Sequence, residues 1–199
     1  MMPKLLLASN NAGKLREYQT LLADLPLALT TPAREGIAIH VDETGATFVE
    51  NAVIKARAHC RASGLPTLAD DSGLEVDALG GAPGVHSARY AGEGASDQDR
   101  YEKLLDALRG VPDKKRTARF RCVIALALPA GEVLTAEGIC EGIIAHEPRG
   151  EHGFGYDPIF YMPALGRTMA ELEPAVKDRL SHRARAVMRI RPALRCHVR

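Results

Sequence analysis

Two adjacent carboxylates, Asp70 and Asp71, follow the apolar approach Leu65-Pro66-Thr67-Leu68-Ala69 and precede Ser72-Gly73-Leu74. Neighbouring side chains on an extended strand point to opposite faces, so the two acids diverge unless the chain turns between them. Ser72-Gly73 is turn chemistry, and the pattern predicts a strand that ends in a turn at the acid pair. Strand ends of that kind often hold catalytic or metal-binding carboxylates. The same residues also suit a plain polar turn in which Asp70 bonds its own backbone. A second candidate is Ser9-Asn10-Asn11-Ala12-Gly13-Lys14, placed between apolar Leu5-Leu6-Leu7-Ala8 and a segment with Leu15, Tyr18, Leu21 and Leu22 at helical spacing. A strand–loop–helix junction offers free N–H groups and the positive end of the helix dipole to an anion, and Lys14 adds a full charge. It is not a Walker A loop, because Leu15 stands where Ser or Thr would meet magnesium. An Asn-capped helix with an exposed lysine has the same sequence.

Three further groups carry chemistry. Lys55 lies on or beside the apolar stripe of a helix that starts at the capping box Thr47-Phe48-Val49-Glu50 and ends at Gly64. Either its stem packs while the amine reaches water, or the lysine is aimed into a cleft. The loop Gly150-Glu151-His152-Gly153-Phe154-Gly155-Tyr156-Asp157-Pro158 surrounds two aromatics and a carboxylate with glycines. Its rings could lie flat on a planar ligand while Asp157 bonds a base edge; alternatively it is a mobile loop whose Phe tucks into the core. Lys177, Asp178, Arg179, His182, Arg183 and Arg185 cluster near the start of a final helix capped by Ser181. Positive charge there opposes the helix dipole and is unfavourable without a nearby anion. A phosphate or base carbonyl would supply that partner; a solvated basic face is the plainer account.

The elements that must position these groups follow from apolar spacing. Strands are expected at Leu5–Ala8, Leu27–Thr30, Ile37–Val41, Leu74–Val76 and Ala118–Leu128. The last of these turns at Pro129-Ala130-Gly131 and returns over Val133–Gly142, so the sheet is mixed. Ser96 caps a helix with Leu104, Leu105 and Leu108 inward, and Pro192 should end the final helix early, leaving a frayed basic tail. The chain has 199 residues, 46% hydrophobic and 26% charged, which is enough to bury a sizeable core without disulfides. A net charge of +1 gives no global field for nucleic acid or an anionic membrane. Cys60, Cys122, Cys140 and Cys196 show no C-x-x-C spacing, which points to reduced thiols and a cytoplasmic setting. No apolar run is long enough to span a bilayer.

Carboxylates, lysines for phosphate and an aromatic loop for a ring are what a magnesium–nucleoside-triphosphate site requires. In that combination the chain resembles the Ham1/RdgB-type inosine triphosphate pyrophosphatases. The motifs are Ser9-x-Asn11-x-Gly13-Lys14, Glu43-Thr44-Gly45-x-Thr47-Phe48-x-Glu50-Asn51-Ala52 and Ala69-Asp70-Asp71-Ser72-Gly73-Leu74, then Gly80-Gly81-Ala82-Pro83-Gly84 with Ser87-Ala88-Arg89-Tyr90, Gly153-Phe154-Gly155-Tyr156-Asp157-Pro158, and Ser181-His182-Arg183. They cover nearly the whole chain in order.

The resemblance implies an elongated two-lobed α/β fold around a long mixed sheet, formed by residues 1–199 as one domain without a separable linker, with the substrate in a cleft between the lobes. It implies hydrolysis of dITP, ITP or XTP to the monophosphate and pyrophosphate, with Mg2+ as cofactor, in a homodimer that binds neither nucleic acid nor membrane. Position by position, Asp71 resembles the essential carboxylate, a magnesium ligand and water-activating base. Glu43 resembles the second acidic metal partner, and Asp70 a neighbouring acid that reaches metal through water. Ser9, Asn10, Asn11, Ala12, Gly13 and Lys14 resemble the triphosphate loop, and Lys55 the cleft lysine. Ser72 and Arg89 are implied substrate contacts. Phe154, Gly155, Tyr156 and Asp157 resemble the base loop, with Phe154 and Tyr156 flanking the ring. Lys177, His182 and Arg183 resemble the readers of the purine 6-oxo edge. The departures are Tyr156 where some relatives have Trp, Asn10 where Gly is common, and the Pro192-interrupted tail.

Two other readings compete. A Maf-like pyrophosphatase of modified pyrimidine nucleotides shares the general architecture, but the Phe154–Asp157 and Ser181–Arg183 motifs argue against it. A catalytically silent nucleotide-binding protein would be expected to lack an acid, and Glu43, Asp70 and Asp71 are all present.

Overall fold

A computed structural model describes residues 2–198. Seven strands form one sheet in the order β2-β1-β3-β4-β5-β6-β7. They are β1 (Lys4–Leu7), β2 (Ala28–Thr30), β3 (Thr67–Val76), β4 (Thr117–Ala127), β5 (Val133–Ile144), β6 (Phe160–Met162) and β7 (Arg167–Thr168). β1 runs parallel to both β2 and β3, whereas β6 runs antiparallel to β5 and β7, so the sheet is mixed. The helices are α1 (Ala12–Leu21), α2 (Phe48–Ser63), α3 (Asp97–Ala107), α4 (Pro174–Leu180) and α5 (His182–His197).

Two compact units share this chain. Among the described residues the first takes 2–71, 122–138 and 183–198, and the second takes 72–121 and 139–182. The divisions fall inside β3, β4, β5 and at the start of α5, not in linkers. Each unit has its own apolar core. In the first, Leu5 and Leu7 of β1, Leu68 of β3 and Ile124 and Leu126 of β4 pack with Tyr18 and Leu22 and with Val187, Ile190 and Leu194 of α5. In the second, Leu74, Val76, Phe120 and Ile144 pack with Leu104, Leu108, Tyr156 and Phe160.

The structure departs from the expected elements at three places. The acid pair is not at a turn: β3 continues unbroken through Asp70, Asp71, Ser72 and Gly73 to Val76. Gly73 serves close approach, since a Cβ there would collide with the Gly84 carbonyl and the Ser87 hydroxyl. Ser87 Oγ accepts the Leu74 N–H at 2.9 Å and donates to the Gly84 carbonyl at 2.6 Å. Residues 37–41 form no strand; the Ile37 N–H closes a turn on the Pro32 carbonyl, and Ile39 is exposed. Finally, α5 runs straight through Pro192. Leu194 and Val198 beyond the proline are buried in the first core, so tertiary packing holds the turn that a missing N–H weakens.

Candidate active site

The β1–α1 junction sets out the first part of the site. Asn11 caps α1, its side chain accepting the Lys14 N–H at 2.9 Å, while Ser9 Oγ accepts the Asn11 N–H at 3.2 Å. Asn10, Asn11 and Ala12 are exposed, Ser9 is half-buried and Gly13 is buried. The cap leaves Lys14 in the first turn, with its ammonium directed to Asp70 Oδ1 at 3.1 Å.

Strand alternation sends the two acids to opposite faces. Asp70 shares the face of Leu68 and lies among α1, α5 and β4, only 1% exposed. Arg183 from the first turn of α5 donates to Asp70 Oδ2 from Nε at 3.2 Å and from Nη2 at 3.3 Å, and its Nη1 pairs with Glu17. Burial alone would raise the Asp70 pKa, but the Lys14, Arg183 and Lys55 charges hold the carboxyl well below the usual range. Cys122 Sγ lies 3.8 Å from Asp70 Oδ2, and burial followed by that neighbouring charge pushes the thiol pKa up to about 12.

Asp71 faces α2. Asn51, fully buried, donates from Nδ2 to Asp71 Oδ2 at 3.1 Å, and its Oδ1 accepts the Gly45 N–H at 2.8 Å. Burial pushes the Asp71 pKa up; Lys55, Asn51 and Lys14 pull against it, Glu43 adds to it, and the net shift is upward. One turn along α2, Lys55 donates to Glu43 Oε1 at 2.8 Å and to the Asp70 backbone carbonyl at 3.1 Å. Its own pKa is lowered by burial, yet Asp70, Glu43 and Asp71 hold it above the ordinary value.

The second unit holds the aromatic loop. Asp157 Oδ2 accepts the Phe154 N–H at 2.9 Å and the Lys177 ammonium at 2.6 Å, and that ammonium lies 4.9 Å from the centre of the Phe154 ring. Gly153, at φ +83, permits this, because a Cβ there would strike the Asp157 carboxylate. Ser72 is half-buried and Arg89 is exposed at the end of a 3-10 turn.

Three of the expected site residues are buried and already partnered within the chain. Arg183 is 1% exposed and tied to Asp70 and Glu17, so it is not a solvated basic group and has an internal anion at the start of its helix. Tyr156 packs in the second core, and its hydroxyl donates to the Ser87 carbonyl at 2.9 Å. Asp70 is fully buried, and cationic side chains engage both its oxygens. His182 packs nearly flat on Phe120, with ring centres 4.8 Å apart. Sequence reasoning also missed Asn51 and Glu17 as site residues. The readable signals were an Asn on the buried face of α2 next to its capping box, and an acid three residues after Lys14.

Among the described residues no three His, Cys, Asp or Glu side chains converge as metal ligands. Glu43 and Asp71, both drawn to the Lys55 charge, remain as a two-carboxylate set. That number suits magnesium, which takes one or two carboxylates and completes its shell with water and phosphate oxygens.

A family model described as the Ham1 family matches residues 5–193. The chain belongs to the Ham1 family. A dITP/XTP pyrophosphatase of Yersinia pestis is 53% identical over 196 residues, 98% of this chain and 99% of that protein. A dITP/XTP pyrophosphatase of Methylococcus capsulatus is 54% identical over 197 residues, 98% of each. The solved structure of a HAM1 protein from Coxiella burnetii, 49% identical, superposes with a TM-score of 0.88 over 97% of this chain and 98% of that one. The mixed α/β sheet is thus the Ham1 family fold.

Two outcomes follow from the geometry. Asp70→Asn removes the charge that balances Arg183 and Lys14, and should destabilise the protein by about 3 kcal/mol in urea unfolding. Stabilisation of the metal-free protein would instead mark Asp70 as one of a repelling acid pair. Asn51→Ala removes a bond that lowers the Asp71 pKa, so less of that carboxyl is ionised at a given acidic pH. The acidic limb of the kcat/KM profile should then move to higher pH; an unmoved limb would show that Asn51 does not tune Asp71.

Proposed function

We propose that this Ham1 family chain is a nucleoside-triphosphate pyrophosphatase acting on the non-standard purine nucleotides dITP, ITP and XTP. The observation that carries the reading is Asp71: a buried carboxyl oriented by the Asn51 amide at 3.1 Å and placed in the field of Lys55 and Lys14. The relatives at about half identity, dITP/XTP pyrophosphatases by name, support the substrate class.

In this reading water cleaves the bond between the α and β phosphates, releasing pyrophosphate and the nucleoside monophosphate. Asp71 takes the proton of the attacking water. Lys14 and the N–H groups at the start of α1 hold phosphate oxygens, and Lys55 holds Glu43 and Asp71 in register. Magnesium, held by Glu43 and Asp71 together with the phosphates, would supply charge neutralisation as the bond breaks. The Phe154 ring takes the purine face. Lys177, oriented by Asp157, suits the 6-oxo acceptor of hypoxanthine or xanthine and leaves the adenine amine unpaired, the kind of mismatch that discriminates strongly. A cytoplasmic homodimer completes the proposal, supported by the family resemblance and by four free cysteines; sedimentation velocity tests the dimer.

The test is pyrophosphate release from ITP, dITP and ATP, with magnesium and with EDTA. ITP and dITP should exceed ATP by roughly 100-fold in kcat/KM, with turnover lost in EDTA. Asp71→Asn should lower kcat by roughly 100-fold or more. Comparable rates on ITP and ATP would overturn the base reading, turnover in EDTA would overturn the metal, and a preference for modified pyrimidine triphosphates would favour the Maf-like alternative.

A further inference from the structure

We propose that Asp97 is a positioning residue for base recognition, holding the Phe154–Gly155 backbone from the first turn of α3. The inference rests on the reading that this loop takes the purine.

The capping of α3 does not explain Asp97. Ser96 Oγ accepts the Asp99 N–H at 3.1 Å, and Asp99 Oδ2 accepts the Ser96 N–H at 2.8 Å, so Ser96 and Asp99 complete the capping box between them. Asp97 is turned to other work. Its Oδ2 accepts the Gly155 N–H at 2.7 Å, from a residue 58 positions later in the chain. Its Oδ1 pairs with Arg100, and Arg100 Nη1 donates to the Ala88 carbonyl at 2.8 Å. One helical turn therefore grips two segments, the aromatic loop and the stretch that leads to Arg89. Tyr156, donating to the Ser87 carbonyl, ties the same two segments a second time.

The effect on Phe154 is direct. Its own N–H is held by Asp157, and the N–H of the next residue is held by Asp97. Both peptide planes flanking its Cα are thus fixed. Gly155 follows at φ +65, where glycine is free to sample many conformations. A charge-assisted bond to its N–H selects one of them. The start of α3 also favours a negative charge through its dipole, so the holding carboxylate is well placed. Removing it should loosen the ring that meets the base and leave phosphate binding untouched.

The experiment compares Asp97→Ala, Asp97→Asn and Ser96→Ala in steady-state hydrolysis of ITP, with inorganic tripolyphosphate as a competing ligand that has no base. Asp97→Ala should raise KM for ITP by about ten-fold with kcat nearly unchanged, and the inhibition constant of tripolyphosphate should not move. Asp97→Asn should recover part of the loss, because its amide oxygen can still accept the Gly155 N–H. Ser96→Ala, which weakens the same helix start without touching the loop, should behave as the unmodified protein. An unchanged KM in Asp97→Ala, or an equal rise in Ser96→Ala, overturns the proposal. Phe154→Ala separates the two layers. If it raises KM while Asp97→Ala does not, the positioning role fails and the base reading stands; if neither does, the base reading itself fails. Should Asp97→Ala not fold, Asp97→Ser carries the same comparison, its hydroxyl being too short to reach Gly155.

Discussion

Two like charges on consecutive residues of a buried strand are the constraint around which the first unit is arranged. Side-chain alternation along β3 separates them, one to each face of the sheet. Each then has to be compensated by whatever packs on its own side. The Asp70 face receives Lys14 and Arg183, and that carboxyl is driven firmly into its ionised form. The Asp71 face receives a neutral amide and a shared lysine, and its carboxyl is left easier to protonate. One residue of offset thus gives the same side chain two opposite electrostatic settings. The helices α1, α2 and α5 bring cations and an amide to addresses that the strand has already assigned.

Much of this was legible in the residues. The junction before α1, the capping box of α2 with its Gly64 terminus, the Ser96 cap and the β4–β5 hairpin all announce themselves through local chemistry that packing does not override. What was not legible depends on partners distant in the chain. Ser72-Gly73 looks like a turn until the backbone of Gly84 and the side chain of Ser87 are seen to need that glycine. Pro192 looks like a stop until Leu194 is seen in the core. Arg183 looks like part of a solvated basic cluster, but it is buried against Asp70, 113 positions away. Local signals report what a segment can do, whereas the satisfaction of a buried charge is decided by contacts that no spacing rule contains.

The aromatic loop illustrates the same division on a smaller scale. Its glycines correctly mark a place of close approach, at Gly153 beside Asp157. Of its two rings, however, only Phe154 stays at the margin, while Tyr156 is drawn inward because its hydroxyl finds a backbone acceptor and its ring an apolar cluster. Composition alone treats the rings as equivalent; hydrogen-bond satisfaction separates them.

The pairing of Asp70 with Arg183 has a consequence for how the protein is made. On the ribosome the strand bearing the acid is finished long before the helix bearing its counter-charge has emerged. Through that interval the nascent chain carries β1, β3 and β4 without the apolar face of α5 that covers them, and with a carboxylate missing one of its two cationic partners. The first core is therefore complete only once Val187, Ile190 and Leu194 have arrived together with the guanidinium. Burial of the first core and compensation of its carboxylate are thus completed by one and the same helix, and a chain truncated before that helix would be left both uncovered and unbalanced.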